Sequence, residues 1–74
     1  MKVRKRGRFR CIVEANYVTI QRCFLVANSL GRREINWTQE WVDRHAIFYF
    51  DTEDKQHTFS GLCRVREISV LSTS

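Results

Sequence analysis

Residues 8–14 alternate, with Phe9, Cys11 and Val13 on one face and Arg8, Arg10 and Glu14 on the other; only Ile12 breaks the rule. A period of two predicts a half-buried strand. Ala15 and Asn16 follow as a turn. Residues 17–27 support two readings. As a strand, Val18, Ile20, Phe24 and Val26 share a side and Arg22 is out of place. As a helix over about 16–30, Asn16 is the N-cap, Gly31 the stop, and Tyr17, Ile20, Phe24 and Ala27 the buried stripe. The content of β-formers favours the strand.

Beyond a turn at residues 28–33, residues 34–37 read as a short strand. Thr38 then caps a brief helical turn through Gln39, Glu40, Trp41 and Val42. The unbroken apolar run at 46–50 predicts a central strand covered on both faces. Residues 51–55 are a polar turn, residues 57–60 a short strand with Gly61 as a bulge, and residues 65–71 the closing strand. The expected fold is mainly β: a small curved sheet or barrel of about five to six short strands with one short helical turn. A helix at about 16–30 would make it α+β instead. The expected organisation is a basic flexible arm (1–7), one globular domain (8–71) and a frayed tail (72–74).

Seventy-four residues hold one core, and a domain of this size hides only about 60% of the surface that its unfolded chain exposes. The net charge of +5 is unevenly placed. Lys2, Arg4, Lys5, Arg6, Arg8 and Arg10 stand in the first ten residues without an acid, whereas beyond them seven basic residues meet eight acidic ones. In extended chain, Arg4, Arg6, Arg8 and Arg10 form one row at roughly 7 Å spacing. Guanidinium groups so spaced match the phosphates of an extended strand, and binding them would release counterions. An acidic protein face is the other partner such a row fits.

Other chemistry finds little support. Cys11, Cys23, Cys63, His45 and His57 lack the close ligand pairs of structural zinc sites. Cys63, His57 and Asp51 are the residue types of thiol catalysis without its motif context, and Asp51, Glu53 and Asp54 miss the spacing of a calcium loop. No run approaches the ~20 apolar residues that span a bilayer. The basic start has no apolar run after it and does not read as a secretory signal. An odd number of cysteines points to a reducing cytoplasm. The expectation is a non-enzymatic binder without metal or cofactor. Trp37 and Trp41, four apart, are set to share one side of the helical turn and serve a protein interface; Phe9, Tyr17 or Trp37 would serve base stacking.

Two resemblances bear on process. Thr58-Phe59, followed after Ser60–Cys63 by Arg64-Val65-Arg66-Glu67-Ile68 and Val70-Leu71, resembles the closing strand of WYL domains, small β-barrels tied to bacterial transcription regulation. In size, charge placement and freedom from catalytic motifs, the chain also resembles small bacteriophage-encoded regulators that bind host RNA polymerase. Together these imply a transcription regulator that binds a protein of the transcription machinery, such as RNA polymerase, while its arm (Lys2, Arg4, Lys5, Arg6, Arg8, Arg10) engages nucleic acid or an acidic surface. The alternative is a direct nucleic-acid-binding module with no protein partner. A membrane-surface role ranks last, since the arm offers only Val3 and Phe9 as anchors. Free strand edges would allow a monomer or a weak dimer.

Overall fold

In the computed structural model, which describes residues 9–73, the alternating segment forms strand β1 (Phe9–Glu14). Helix α1 (Tyr17–Leu30), strands β2 (Trp37–Val42) and β3 (His45–Phe50), helix α2 (Glu53–Val65) and strand β4 (Val70–Thr73) follow. The four strands form one open antiparallel sheet in the order β2-β3-β1-β4. This is the β-α-β-β-α-β connectivity of split βαβ folds. Both helices pack on one face of the sheet, where Cys11, Val13, Trp37, Ala46, Phe48 and Phe50 meet Ile20, Cys23, Val26, Ala27, Phe59 and Cys63. The class is therefore α+β, and the expected barrel with a single helical turn is corrected to a two-layer sandwich.

The strand at 17–27 is a helix. Asn16 Oδ1 accepts from the N–H groups of Val18 and Thr19, at 3.0 and 2.8 Å. With two otherwise orphaned donors satisfied, the stripe Ile20, Cys23, Val26 and Ala27 can face the sheet. Tertiary burial overrides the β-forming bias of the segment. At the far end Gly31 is needed for space rather than for φ, because a Cβ there would run into Asn36 Cβ.

The helical turn expected at Thr38–Val42 is a strand, paired with β3 over its whole length from Trp37↔Phe50 to Val42↔His45. Residues 34–36 form a loop instead of a strand. Asp43, at φ 56°, opens the two-residue turn to β3, a left-handed position that Asp tolerates. β3 lies inside the sheet as expected, with Phe48 0% and Tyr49 1% exposed.

Helix α2 replaces most of the polar turn expected at 51–55 and the whole strand at 57–60 with its bulge at Gly61; of the strand expected at 65–71 it takes Val65, residues 66–69 form the turn that follows, and only the last two residues are strand. Thr52 caps it, its hydroxyl accepting from Lys55 N–H at 3.3 Å, and Glu53 and Asp54 sit in the first turn where the helix dipole favours acids. Its buried stripe is Gln56, Phe59, Ser60 and Cys63. Asp51 just ahead is partly desolvated, which by itself raises its pKa, but hydrogen bonds from Asn36 Nδ2 (2.9 Å) and Lys55 Nζ (3.0 Å) reverse that and hold the carboxyl below its ordinary value.

The helix ends in a Schellman motif: Ile68 N–H reaches Cys63 O at 2.9 Å and Glu67 N–H reaches Arg64 O at 3.1 Å. Glu67 carries the left-handed φ of 60° that this motif usually gives to glycine. β4 then runs two residues past the expected end, pairing Ser72 with Ile12 and Thr73 with Cys11 across a bulge.

Gly61 within α2 and Glu67 just past its end thus sit against their intrinsic preference. A Cβ at Gly61 would meet nothing within 4 Å, and Glu67 holds a conformation that favours glycine. Gly61→Ala and Glu67→Gly are each expected to raise unfolding free energy by about 0.5–1 kcal/mol, whereas Gly31→Ala should lower it. Chemical denaturation with an unchanged slope would measure this; a loss of stability in the Glu67→Gly variant would contradict the end-cap assignment.

Candidate functional surfaces

The sequence places the cationic row directly ahead of β1, an interior strand. Lys2, Arg4, Lys5, Arg6 and Arg8 lie outside the described residues, as does the arm expected at 1–7. Arg10, the last of the row, is exposed on the sheet face opposite the helices, across from Tyr49 on β3. Between residues 11 and 73, charge is nearly balanced.

Trp37 and Trp41 do share a side, for a different reason from the one expected: on a strand, residues four apart face the same way. Their fates differ. Trp37 is 1% exposed, donates Nε1–H to Gly31 O at 3.2 Å and stacks with Phe24 at 6.1 Å, so it belongs to the core rather than to a binding surface. Trp41 is 48% exposed. It lines an open concavity of about 610 Å³ with Ala15, Asn16, Tyr17, Asp43 and Arg44. Tyr17, 87% exposed, stands at the start of α1 beside it. The corner is pinned by Ala15 N–H donating to Arg44 O at 3.0 Å. An exposed Trp and Tyr over a rigid loop pair is a surface of the kind that protein partners anchor on.

The open sheet face is poorly built for base stacking. Modules that read single strands on a four-stranded sheet present exposed aromatic rings there. Here the aromatic residue of that face, Tyr49, is 1% exposed and donates its hydroxyl to Glu40 Oε1 at 2.6 Å. Phe9 lies half-buried against the core on the helix-facing side.

A second surface, which the sequence reading missed, lies on the helix layer. Arg22, Leu25, Val26, Ser29 and Arg66 line a groove of about 360 Å³ between α1 and the end of α2. The spacing Val18, Arg22, Leu25, Ser29 is the helical signal for it, hidden while the segment was read as a strand.

The three cysteines, scattered in sequence, are gathered in the core at 0% exposure, with Cys23 of α1 hydrogen-bonded to Cys63 of α2. Burial, reinforced by Cys23 and opposed by Arg64, pushes the Cys11 thiol up to about 12. The hydrogen bond to Cys23 and burial both push Cys63 up. The histidines do not join them: His45 is exposed at the start of β3 and His57 is exposed on α2, 3.3 Å from Glu53. Cys63, His57 and Asp51 are likewise not brought together, since Cys63 is buried, His57 faces Glu53 and Asp51 faces Asn36 and Lys55. Among the described residues, no group of three or more His, Cys, Asp or Glu side chains is placed to hold a metal ion. No helix among them is long and apolar enough to cross a membrane.

Set against protein-family models, curated proteins and solved structures, the chain matches none significantly.

The hydrogen bond with Cys63 holds Cys23 below its ordinary value, so protonation does not protect all three thiols, but at 0% exposure each is out of reach of an electrophile in solution. Iodoacetamide at pH 8 is therefore expected to leave the folded chain unmodified, while all three cysteines react in guanidinium. Intact mass would read the outcome, and an adduct forming on the native chain as fast as on a free thiol would show a reactive site in this cluster.

Proposed function

We propose that this chain is a small non-enzymatic transcription regulator acting by occupancy. Its folded body docks on a protein of the transcription machinery, with RNA polymerase the first to test, and its arm holds nucleic acid or an acidic surface alongside. The observation that carries this reading is the segregation of charge: six cations in residues 2–10 against a balance of seven and eight beyond. A uniformly basic body would favour binding through the whole surface. A cationic leader on a near-neutral domain favours two distinct contacts, one electrostatic and one through packing. Steering by the leader raises the association rate more than the final affinity. The exposed Trp41 and Tyr17 supply apolar anchorage for the body. The choice of transcription comes from the sequence resemblances.

The direct nucleic-acid module is the second reading, favoured by the four-stranded open sheet that such modules share. Burial of Tyr49 weighs against it.

Titration of the full chain with a single-stranded oligonucleotide, followed by anisotropy over a range of salt, tests the arm. Replacing Arg4, Arg6 and Arg8 by Ala is expected to reduce the slope of log K against log salt by roughly 2–3. An unchanged slope would remove the arm from the contact. Capture of RNA polymerase by the parent chain, lost on Trp41→Ala in a variant that keeps its fold, would support docking by the body. Oligonucleotide binding without any polymerase capture would promote the second reading.

A further inference from the structure

The groove on the helix layer has a character distinct from the arm and from the Trp41 corner. On α1, Val18, Arg22, Leu25 and Ser29 follow one another at helical spacing on a single face, and Val18 and Leu25 are 62% and 72% exposed. Across the groove, Arg66 ends α2 beside Val65, itself 78% exposed. Single exposed aliphatic residues are ordinary on a protein surface; aligned ones beside a groove are less so. Val26, 3% exposed, forms part of the wall and ties the surface to the core.

The charges here are of one sign. Arg22 and Arg66 both line the groove, and among the described residues neither is in an ion pair with a carboxylate. The nearest acid in sequence, Glu67, lines a different concavity with Glu14 and Thr19. The Trp41 corner, by contrast, carries Asp43 and Arg44 together, so its charge selects no partner. The apolar part of the groove lining, Leu25 and Val26, is aliphatic, without an aromatic ring for a base to stack on.

We infer that the groove between α1 and the end of α2 is a docking site for an acidic, aliphatic-anchored helix of a partner protein. This rests on the reading that the body docks on a protein; it adds a second face to the Trp41 corner and names the partner's chemistry there. Leu25, 72% exposed, receives the apolar side of such a helix over the buried wall at Val26, while Arg22 and Arg66 meet carboxylates on its flanks. Arginine suits that role because its planar fork can bind a carboxylate bidentately. Helix-in-groove recognition of this kind places apolar anchors at i, i+3, i+4 and i+7 of the incoming segment.

The test uses the isotopically labelled full chain and two synthetic amphipathic helices. One carries Leu on one face and Glu on the other; its counterpart has Lys in place of every Glu. The Glu helix is expected to shift the amide resonances of Arg22, Leu25, Ser29 and Arg66, and the Lys helix to leave them in place. Arg22→Glu with Arg66→Glu should weaken binding on the order of tenfold or more. Should that pair disturb the fold, Arg22→Ala with Arg66→Ala is expected to act in the same direction with a smaller effect. Replacing Arg4, Arg6 and Arg8 by Ala should leave the groove shifts intact.

Shifts confined to residues 2–10, an equal response to the Lys helix, or no response to either would overturn the assignment. So would groove shifts raised by a single-stranded oligonucleotide but not by the Glu helix, which would make the groove a phosphate site. A chain that captures RNA polymerase while its groove stays silent loses only this inference; a chain that captures none loses the wider reading.

Discussion

Phe48 is the contact on which the rest of the molecule depends. From the middle of β3 its ring meets Phe59 of α2 at 4.7 Å, Trp37 of β2 at 5.7 Å and Phe24 of α1 at 6.0 Å. Phe50 extends the cluster to Phe59 at 4.9 Å. One side chain thus ties two strands and both helices together. In a domain this small, where little surface can be hidden, a run of rings is an economical core, because each ring buries a large apolar area. The packing also explains why α1 and α2 lie on the same side of the sheet. Arg33 closes the cluster at its rim, its guanidinium 5.3 Å from the Phe24 ring centre and 5.9 Å from that of Trp37.

Committing the large aromatic residues to the core decides what is left for binding. Trp37 is consumed by packing, and Tyr49 is held by Glu40. Among the described residues, the Trp41 and Tyr17 corner and the arginine-flanked groove on the helices remain, and the sequence adds a run of cations ahead of β1. They differ in physics. The leader attracts at long range and is screened by salt, whereas the corner and the groove act on contact through apolar area. On the proposed reading, that division of labour would let the chain find a partner quickly and then hold a particular face of it.

Much of this was legible in the chain. The alternation of Phe9, Cys11 and Val13 marks β1, and the run at 46–50 marks β3, because strand burial writes itself directly into local pattern. Asn16 and Gly31 bracket α1 at its true ends. The strand reading won there only because Tyr, Val, Thr, Ile and Phe are β-formers, a bias that burial of one stripe overturns. α2 was hidden by Gly61 and by Thr58 and Phe59, although Thr52 followed by Glu53 and Asp54 is a helix start that can be recognised in the sequence. The tryptophans were read on the same side of their element for a helical reason, and a strand placed them there instead.

The sequence by itself determined where charge and burial alternate: a cationic leader, a near-neutral body, a half-buried strand at β1, a central one at β3, and cap residues at Asn16 and Gly31. These are local properties, set by neighbours in the chain. Only the tertiary structure decided that Cys11, Cys23 and Cys63 share one dry core, that Trp41 rather than Trp37 reaches solvent, and that Arg22 and Arg66 flank one groove. Each of those depends on which face of an element turns toward the aromatic cluster around Phe48. That orientation is settled by packing between residues distant in sequence, which no local pattern records.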